Sequence, residues 1–194
     1  MGQAMPGWKA VILDSERDEE IGPLTIGRVA INIAESPLCW FKGYEGDPAR
    51  STVKFSADGR WYLTGDTGMR DDDGYFFFSS RDDDVIIMAG YRIGPFEVES
   101  AMATHSAVAE CAVIAVPDEI RGELIEGYVV LRQGYAPSTE LEQDVQQWVK
   151  THYAAHAYPR TIHFVDSLPK TPSGKIQRFV LKQQRRQQLL NGAR

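Results

Sequence analysis

The run Arg81-Asp82-Asp83-Asp84 separates two textures of chain, and that change restricts the fold more than any other feature. Ahead of it the apolar residues come in short β-branched or aromatic groups without helical spacing. Residues 8–14 and 28–34 predict strands, with Ser15 to Glu20 a polar loop between them. Gly43 to Ser51, rich in Gly, Pro and Asp, predicts a second loop, and Trp61 to Thr64 a strand ending at Gly65-Asp66. An Asp73-Gly74 turn then leads into the aromatic run Tyr75 to Phe78, a hairpin pattern.

Past the acidic run, helical periodicity begins. Val85 to Met88 predicts a buried strand. Pro95 suits a first helical turn, and Glu97 and Glu99 fall where the helix dipole favours acid. Val98, Ala101, Met102 and His105 then share one apolar face. Val108 to Val116 and Leu124 to Leu131 read as strands. Thr139-x-x-Glu142, just after Ser138, is a capping-box pattern for a helix with the stripe Leu141, Val145, Trp148 and Val149, ending near Tyr153. Residues 161–165 predict a strand, and a basic helix follows from about Gln177. The fold class is therefore α+β. A β-only segment, residues 1–82, precedes a small unit, residues 83–194, of order β-α-β-β-α-β-α, with a mixed sheet and flanking helices.

Composition narrows the function classes. The chain is 43% hydrophobic and 25% charged, an ordinary globular balance. No apolar run approaches about 18 residues, so no transmembrane helix is expected. Met1 to Trp8 is neither basic nor apolar enough for a signal peptide. Cys39 and Cys111 sit in unrelated segments, which predicts two core thiols in a reduced, cytosol-like compartment. His105, His152, His156 and His163 lack zinc-ligand spacing, so no metal site is expected. A net charge of −6 argues against a nucleic-acid partner. That charge is unevenly placed: Pro169 to Arg194 carries seven Lys or Arg and no Asp or Glu. Such a tail is either a solvated basic helix or a set of cations facing a phosphate-rich ligand.

Three clusters combine polar groups with glycines. In Tyr62-Leu63-Thr64-Gly65-Asp66, an aspartate after a glycine at a strand end suits the hydroxyls of a ribose. Arg81 and Arg92 can each neutralise a phosphate or hold a sugar, and Gly90 lets a narrow ligand pass close to the backbone. Arg121 lies in a glycine-bearing loop and can do similar work. The third cluster is Pro169-Lys170-Thr171-Pro172-Ser173-Gly174-Lys175-Ile176, a stiff turn presenting one ammonium group to an anion. It is not a Walker A loop: Pro169 stands where that loop has glycine, and Ile176 where it has Ser or Thr.

In this order and spacing the clusters resemble the AMP-forming acyl-CoA synthetases, within the wider adenylate-forming superfamily. Tyr62 to Asp66 resembles that family's Tyr-x-Thr-Gly-Asp motif, and Arg81 to Asp84 its Arg-x-Asp-Asp hinge. Gly90-Tyr91-Arg92-Ile93-Gly94-Pro95-Phe96-Glu97-Val98-Glu99, with Pro117-Asp118 and Tyr158-Pro159-Arg160, is closest to the medium-chain branch. The resemblance implies a two-step ligase. ATP and a carboxylic acid give an acyl-adenylate and pyrophosphate; the thiol of CoA then displaces AMP. It also implies roles: Asp66 on the ATP ribose with Arg81 assisting, Lys175 catalytic between acyl carboxylate and α-phosphate, and Asp83 as hinge. Ala89, Gly90 and Tyr91 would flank the pantetheine arm, while Arg92, Arg121, Tyr158, Pro159 and Arg160 contact CoA. ATP, CoA and Mg2+ are the expected small-molecule requirements, with no Mg2+ ligands identifiable.

No stretch before Tyr62 reads as the family's Ser/Thr/Gly-rich phosphate loop. The expectation is thus a C-terminal portion, the barrel-like end of the large domain plus the mobile small domain, inactive alone. The cytoplasm, or the mitochondrial matrix in a eukaryote, is the expected location. Alternatives are a non-catalytic CoA-binding or interaction module, and an adenylation domain serving a carrier protein. Trp8, Trp40 and Tyr75 to Phe78 are expected to leave apolar surface bare and promote self-association.

Overall fold

In the computed structural model, residues 1–37 and 41–192 are described; Cys39 and Trp40, expected in the core and on bare surface respectively, lie outside them. The chain divides into two compact units, Met1–Asp83 and Asp84–Arg194. A single 3₁₀ turn, Asp82–Asp84, leads from one to the other.

The first unit is an antiparallel meander of β1 (Ala10–Leu13), β2 (Gly27–Asn32), β3 (Trp61–Arg70) and β4 (Phe76–Arg81), paired in that order. Its two faces bury separate apolar groups. Val11, Leu13, Ala30 and Trp61 pack on one, Ile12, Val29 and Phe76 on the other. Two expectations change here. The Gly43 to Ser51 loop closes into a short helix, α1 (Pro48–Thr52), because Pro48 opens it and the Asp47 side chain accepts from Arg50 N–H. Strand β3 does not stop at Gly65-Asp66 but runs on to Arg70, with its pairing to β2 slipping between Arg28 and Ala30. Gly65, at φ +82°, absorbs that irregularity. Phe76 is buried, whereas Tyr75, Phe77 and Phe78 are exposed and Trp8 is half-buried.

The second unit holds a mixed sheet of order β6-β5-β8-β7, with β9 added in parallel to β8. Its members are β5 (Ile86–Met88), β6 (Tyr91–Ile93), β7 (Val108–Asp118), β8 (Gly122–Leu131) and β9 (Thr161–Phe164). Strand β6 is one more than the sequence predicts. It forms because Ala89 and Gly90 take φ +50° and +84°, so β5 turns back in two residues with Met88 opposite Tyr91. Positive φ at both central positions is the requirement of a type I′ hairpin turn. Glycine meets it freely; Ala89 meets it at a cost.

Helices α2 (Pro95–Ala103), α3 (Thr139–His152) and α4 (Arg178–Gly192) cover the sheet. Cys111 and Val113 of β7 join the core with Val98 and Met102 of α2 and Val145 and Val149 of α3. Ala112, Ile114 and Val116 face the other way and pack with Leu168 and Leu181. Cover on both faces explains why β7 reads as a continuous apolar run. At the start of α3, Ser138 rather than Thr139 is the cap, its hydroxyl accepting from Leu141 N–H (3.1 Å). Glu142 instead accepts from Ile162 N–H at 2.9 Å and ties the helix to β9. Glu99, too, does not serve the dipole of α2; it is buried and paired with Arg178.

Three cations of α4, Arg178, Lys182 and Arg185, are turned onto carboxylates of the unit, while Arg186 is exposed. Arg178 bonds both oxygens of Glu99 (2.6 and 2.9 Å) and lies 3.4 Å from Asp84. Lys182 reaches Asp84 at 2.9 Å, and Arg185 grips both oxygens of Glu126 (2.7 and 2.9 Å). Glu126 also meets His163 Nε2 at 2.8 Å. Burial pushes the Glu126 carboxyl up, but the hydrogen bonds from His163 and Arg185 outweigh it and hold the group below its ordinary 4.5. A carboxylate lowered in the folded state contributes stability that is complete above its unfolded value. That contribution is lost as pH falls through the folded one. Glu126→Gln should therefore cost about 2 kcal/mol at pH 7 and less at pH 3. Urea midpoints at both pH values check this; an equal loss at both would exclude the charge as the source.

Candidate functional site

Asp66 and Arg81 were predicted to act together, and the β3–β4 ladder makes them direct cross-strand partners. Arg81 Nη1 lies 2.8 Å from Asp66 Oδ1, and its Nε lies 3.4 Å from Asp83 Oδ1. Burial works against the guanidinium charge, but Asp66 and then Asp83 more than compensate and raise the Arg81 pKa. Both side chains line a cavity of about 410 Å³ together with Arg28, Lys54, Leu63 and Gly65. An ionised carboxylate held this way accepts hydroxyl hydrogens from a sugar without having to be oriented first.

The lysine turn is a closed hairpin. Thr171 N–H donates to Lys175 O (2.8 Å), and Gly174 N–H to Thr171 O (2.9 Å). Lys175 N–H donates to Thr171 Oγ1 (3.0 Å), which also meets Ser173 Oγ at 2.9 Å. Gly174 sits at φ +84°, as the turn demands. The Lys170 ammonium lies 2.7 Å from the Glu110 carboxylate and fastens the hairpin to the start of β7. Lys175 itself is exposed, and among the described residues its ammonium has no partner.

The other predicted residues gather at the far end of the same sheet. Ala89 N–H donates to Arg121 O at 2.8 Å, so the β5–β6 turn abuts the β7–β8 turn. Tyr91 is 55% exposed and packs its ring 4.4 Å from that of His156. Arg92 and Arg121 are exposed. Tyr158 lies between two cations, Arg160 at 3.8 Å and Lys150 at 4.0 Å from its ring centre. Pro159 is buried close to Gly127, so it fixes the path of its neighbours rather than offering a face. His156 and Lys150 were missed in the sequence. Their partners come from β6 and the α3–β9 connection, and no spacing rule links them.

The lysine hairpin and the Ala89-Gly90 turn are kept apart. One is anchored at Glu110 and the other beside Asp118 and Gly122, eight positions along β7. At a rise of about 3.4 Å per residue this is about 27 Å. Cys111, between them, is buried, and burial with the Glu99 charge pushes its thiol up to about 12, so it is an unreactive core residue. Among the described residues no three His, Cys, Asp or Glu side chains are grouped to hold a metal ion, and no helix is long and apolar enough to cross a membrane.

Residues 97–175, which carry the lysine hairpin, match the family model of the AMP-binding enzyme C-terminal domain. The whole chain is 41% identical over 192 residues to 4-hydroxybutyrate–CoA ligase 1 of Metallosphaera sedula, covering 99% of this chain and 34% of that protein. It is 44% identical to the human mitochondrial acyl-coenzyme A synthetase ACSM4, covering 95% and 32%. The crystal structure of ATP-bound MatB from Rhodopseudomonas palustris matches with a TM-score of 0.80 at 32% identity, covering 94% of this chain and 35% of that one. Residues 97–175 belong to the AMP-binding enzyme C-terminal domain family, and over nearly its whole length the chain is similar to acyl-CoA synthetases. It spans about a third of the length of the curated relatives it matches.

Gly65 is where the Asp66 site is most sensitive. A Cβ there would stand 2.7 Å from Arg81 Nη2 and 3.1 Å from Lys54 Nζ, on a backbone at positive φ. Gly65→Ala should destabilise the first unit by about 1–2 kcal/mol through strain and displaced Arg81. Urea unfolding followed by tryptophan fluorescence measures it. A neutral substitution would show that the Arg81 position is not fixed by this contact.

Proposed function

We propose that these residues serve an AMP-forming acyl-CoA synthetase of the medium-chain type. ATP and a carboxylic acid form an acyl-adenylate with loss of pyrophosphate; the CoA thiol then displaces AMP. The first unit is the end of the large domain and presents Asp66 to the ribose, with Arg81 holding its carboxylate. The second is the small domain. Its Lys175 ammonium stabilises the charge that builds between acyl carboxylate and α-phosphate, an interaction stronger in the transition state than before it. Asp83 is the hinge whose backbone redirects the small domain between steps. Ala89, Gly90 and Tyr91 then border the pantetheine arm. Arg92, Arg121, Tyr158 and Arg160, with Lys150, receive the nucleotide of CoA, and Pro159 sets the path of that strand.

One observation carries the two-step assignment. The lysine hairpin and the Ala89-Gly90 turn lie about 27 Å apart along one rigid ribbon, so one orientation of this unit offers only one of them to a given point. The medium-chain assignment draws on the wording of Gly90 to Glu99 and on the 44% identity to ACSM4. Mg2+ would travel with the ATP phosphates, and no step here is routed through it. The reducing compartment fitted by the buried Cys111 is the cytoplasm, or the mitochondrial matrix in a eukaryote. Exposed Phe77 and Phe78 support self-association of the isolated chain; a monodisperse monomer in light scattering would remove that part.

Calorimetric titration of CoA and of pantetheine into this chain tests the CoA face. CoA should bind more tightly than pantetheine. Arg121→Ala and Lys150→Ala should each weaken CoA about tenfold, the worth of one charge-assisted contact, while Lys175→Ala should not. Equal affinity for CoA and pantetheine would remove the nucleotide contacts and favour a carrier-protein substrate instead.

A further inference from the structure

The geometry points to Lys54 as a phosphate-binding residue for the nucleotide whose ribose rests on Asp66, an inference that builds on the ribose assignment above. The cavity around Asp66 is lined by four cations, and three are engaged. Arg28 is fixed to Asp18 at 2.9 Å and to two backbone carbonyls. Arg50 lies over the Tyr44 ring at 4.1 Å. Arg81 gives Nη1 to Asp66 and Nε to Asp83. Lys54, half-buried in the same wall, has no carboxylate or hydrogen-bond acceptor for its ammonium among the described residues.

Its position is not accidental to the chain's path. Lys54 N–H donates to Ser51 O (3.1 Å), and Lys54 O accepts from Leu63 N–H (2.8 Å), so its backbone is held against β3 from both sides. Its Nζ and the outer Nη2 of Arg81 stand 3.1 and 2.7 Å from one point, the place a Gly65 Cβ would occupy. The two nitrogens are thus within about 6 Å of each other, while the Arg81 contacts to Asp66 and Asp83 run through Nη1 and Nε. Two cationic donors converging beside a glycine, one residue from a ribose-binding carboxylate, form a seat for an anion. A phosphate attached to that ribose fits the demand. Gly65 is required because any side chain there would fill the seat.

The test is an amide NMR titration of this chain with adenosine, with AMP and with inorganic phosphate. AMP should bind about tenfold more tightly than adenosine, the increment of one charge-assisted contact, and shift the Gly65 and Asp66 signals. Lys54→Ala and Lys54→Gln should erase the AMP advantage and leave adenosine affinity unchanged; Lys54→Arg should keep it. Unchanged signals from β1 and β4 report that each variant is folded. An AMP advantage that survives both Lys54→Ala and Lys54→Gln overturns the inference while the ribose assignment stands. Asp66→Asn should weaken adenosine and AMP alike. If neither nucleoside nor nucleotide moves the Gly65 and Asp66 signals, the ribose assignment and the Lys54 inference fall together. Phosphate binding that Lys54→Ala abolishes, without adenosine binding, supports the anion seat and removes only the ribose.

Discussion

The second unit depends on the clamp that Arg178 makes from α4. Its guanidinium closes on both oxygens of Glu99 in α2 and lies against Asp84, the first residue of the unit. Glu99 is 8% exposed and Glu126 is 6% exposed. Carboxylates at that depth are tolerable only when paired and hydrogen-bonded. Arg178 and Arg185, with Lys182 on Asp84, provide the pairing from one helix. Burial acts to lower the Arg178 pKa, but Glu99 and then Asp84 outweigh it and raise it, so the clamp stays charged. Helix α4 is therefore less a basic tail than the counter-charge layer of the sheet. Without it Asp84, Glu99 and Glu126 would lose their Arg and Lys partners.

That clamp also bears on the proposed hinge. Asp84 is held by Arg178 and Lys182, while Asp83, one residue earlier, is 77% exposed at its side chain and lies 3.4 Å from Arg81. The second unit thus begins with an ion-paired residue, Asp84. A change of backbone dihedral confined to one or two residues redirects everything beyond it as a body, provided the first residue beyond is pinned. The β7–β8 ribbon carries different groups at its two ends, the lysine hairpin at one and the Ala89-Gly90 turn at the other.

Much of this was legible from residue order. The α+β class, the helix starting at Pro95 and the strands β7, β8 and β9 all follow from periodicity and turn residues, because those signals are local, whereas the pairing of β7 with β8 and the parallel direction of β9 are not. The misreadings share a cause. Ala89 at φ +50° is not a residue that advertises a turn, so β6 was not counted. Ser138 and Thr139 are equally good caps on paper, and Glu142 was taken by β9, twenty residues away, instead of closing a capping box. Asp66 and Arg81 were visible as motif residues, but their direct pairing needed the register of β3 on β4. The Tyr91–His156 and Lys150–Tyr158 contacts needed the path of the α3–β9 connection.

The fate of the C-terminal cations shows what order alone withholds. Seven Lys or Arg without one acid between them read either as a solvated helix or as a ligand surface. Four of them, Lys170, Arg178, Lys182 and Arg185, are already bound to carboxylates of the unit. Arg178, Lys182 and Arg185 sit on buried or half-buried carboxylates and cannot turn to an anion without leaving them unpaired, whereas Lys170 and Glu110 form an exposed pair. Lys175 differs: its hairpin is closed by backbone and hydroxyl bonds, and Lys170 makes the tether to Glu110 in its stead. The loop is shaped without using the charge of Lys175. An exposed ammonium loses little by waiting in water, and it is free to engage an anion that closes over it. Of the two lysines in this hairpin, Lys170 is engaged by a carboxylate and fixes the loop, and Lys175 is the one whose ammonium is left for an incoming anion.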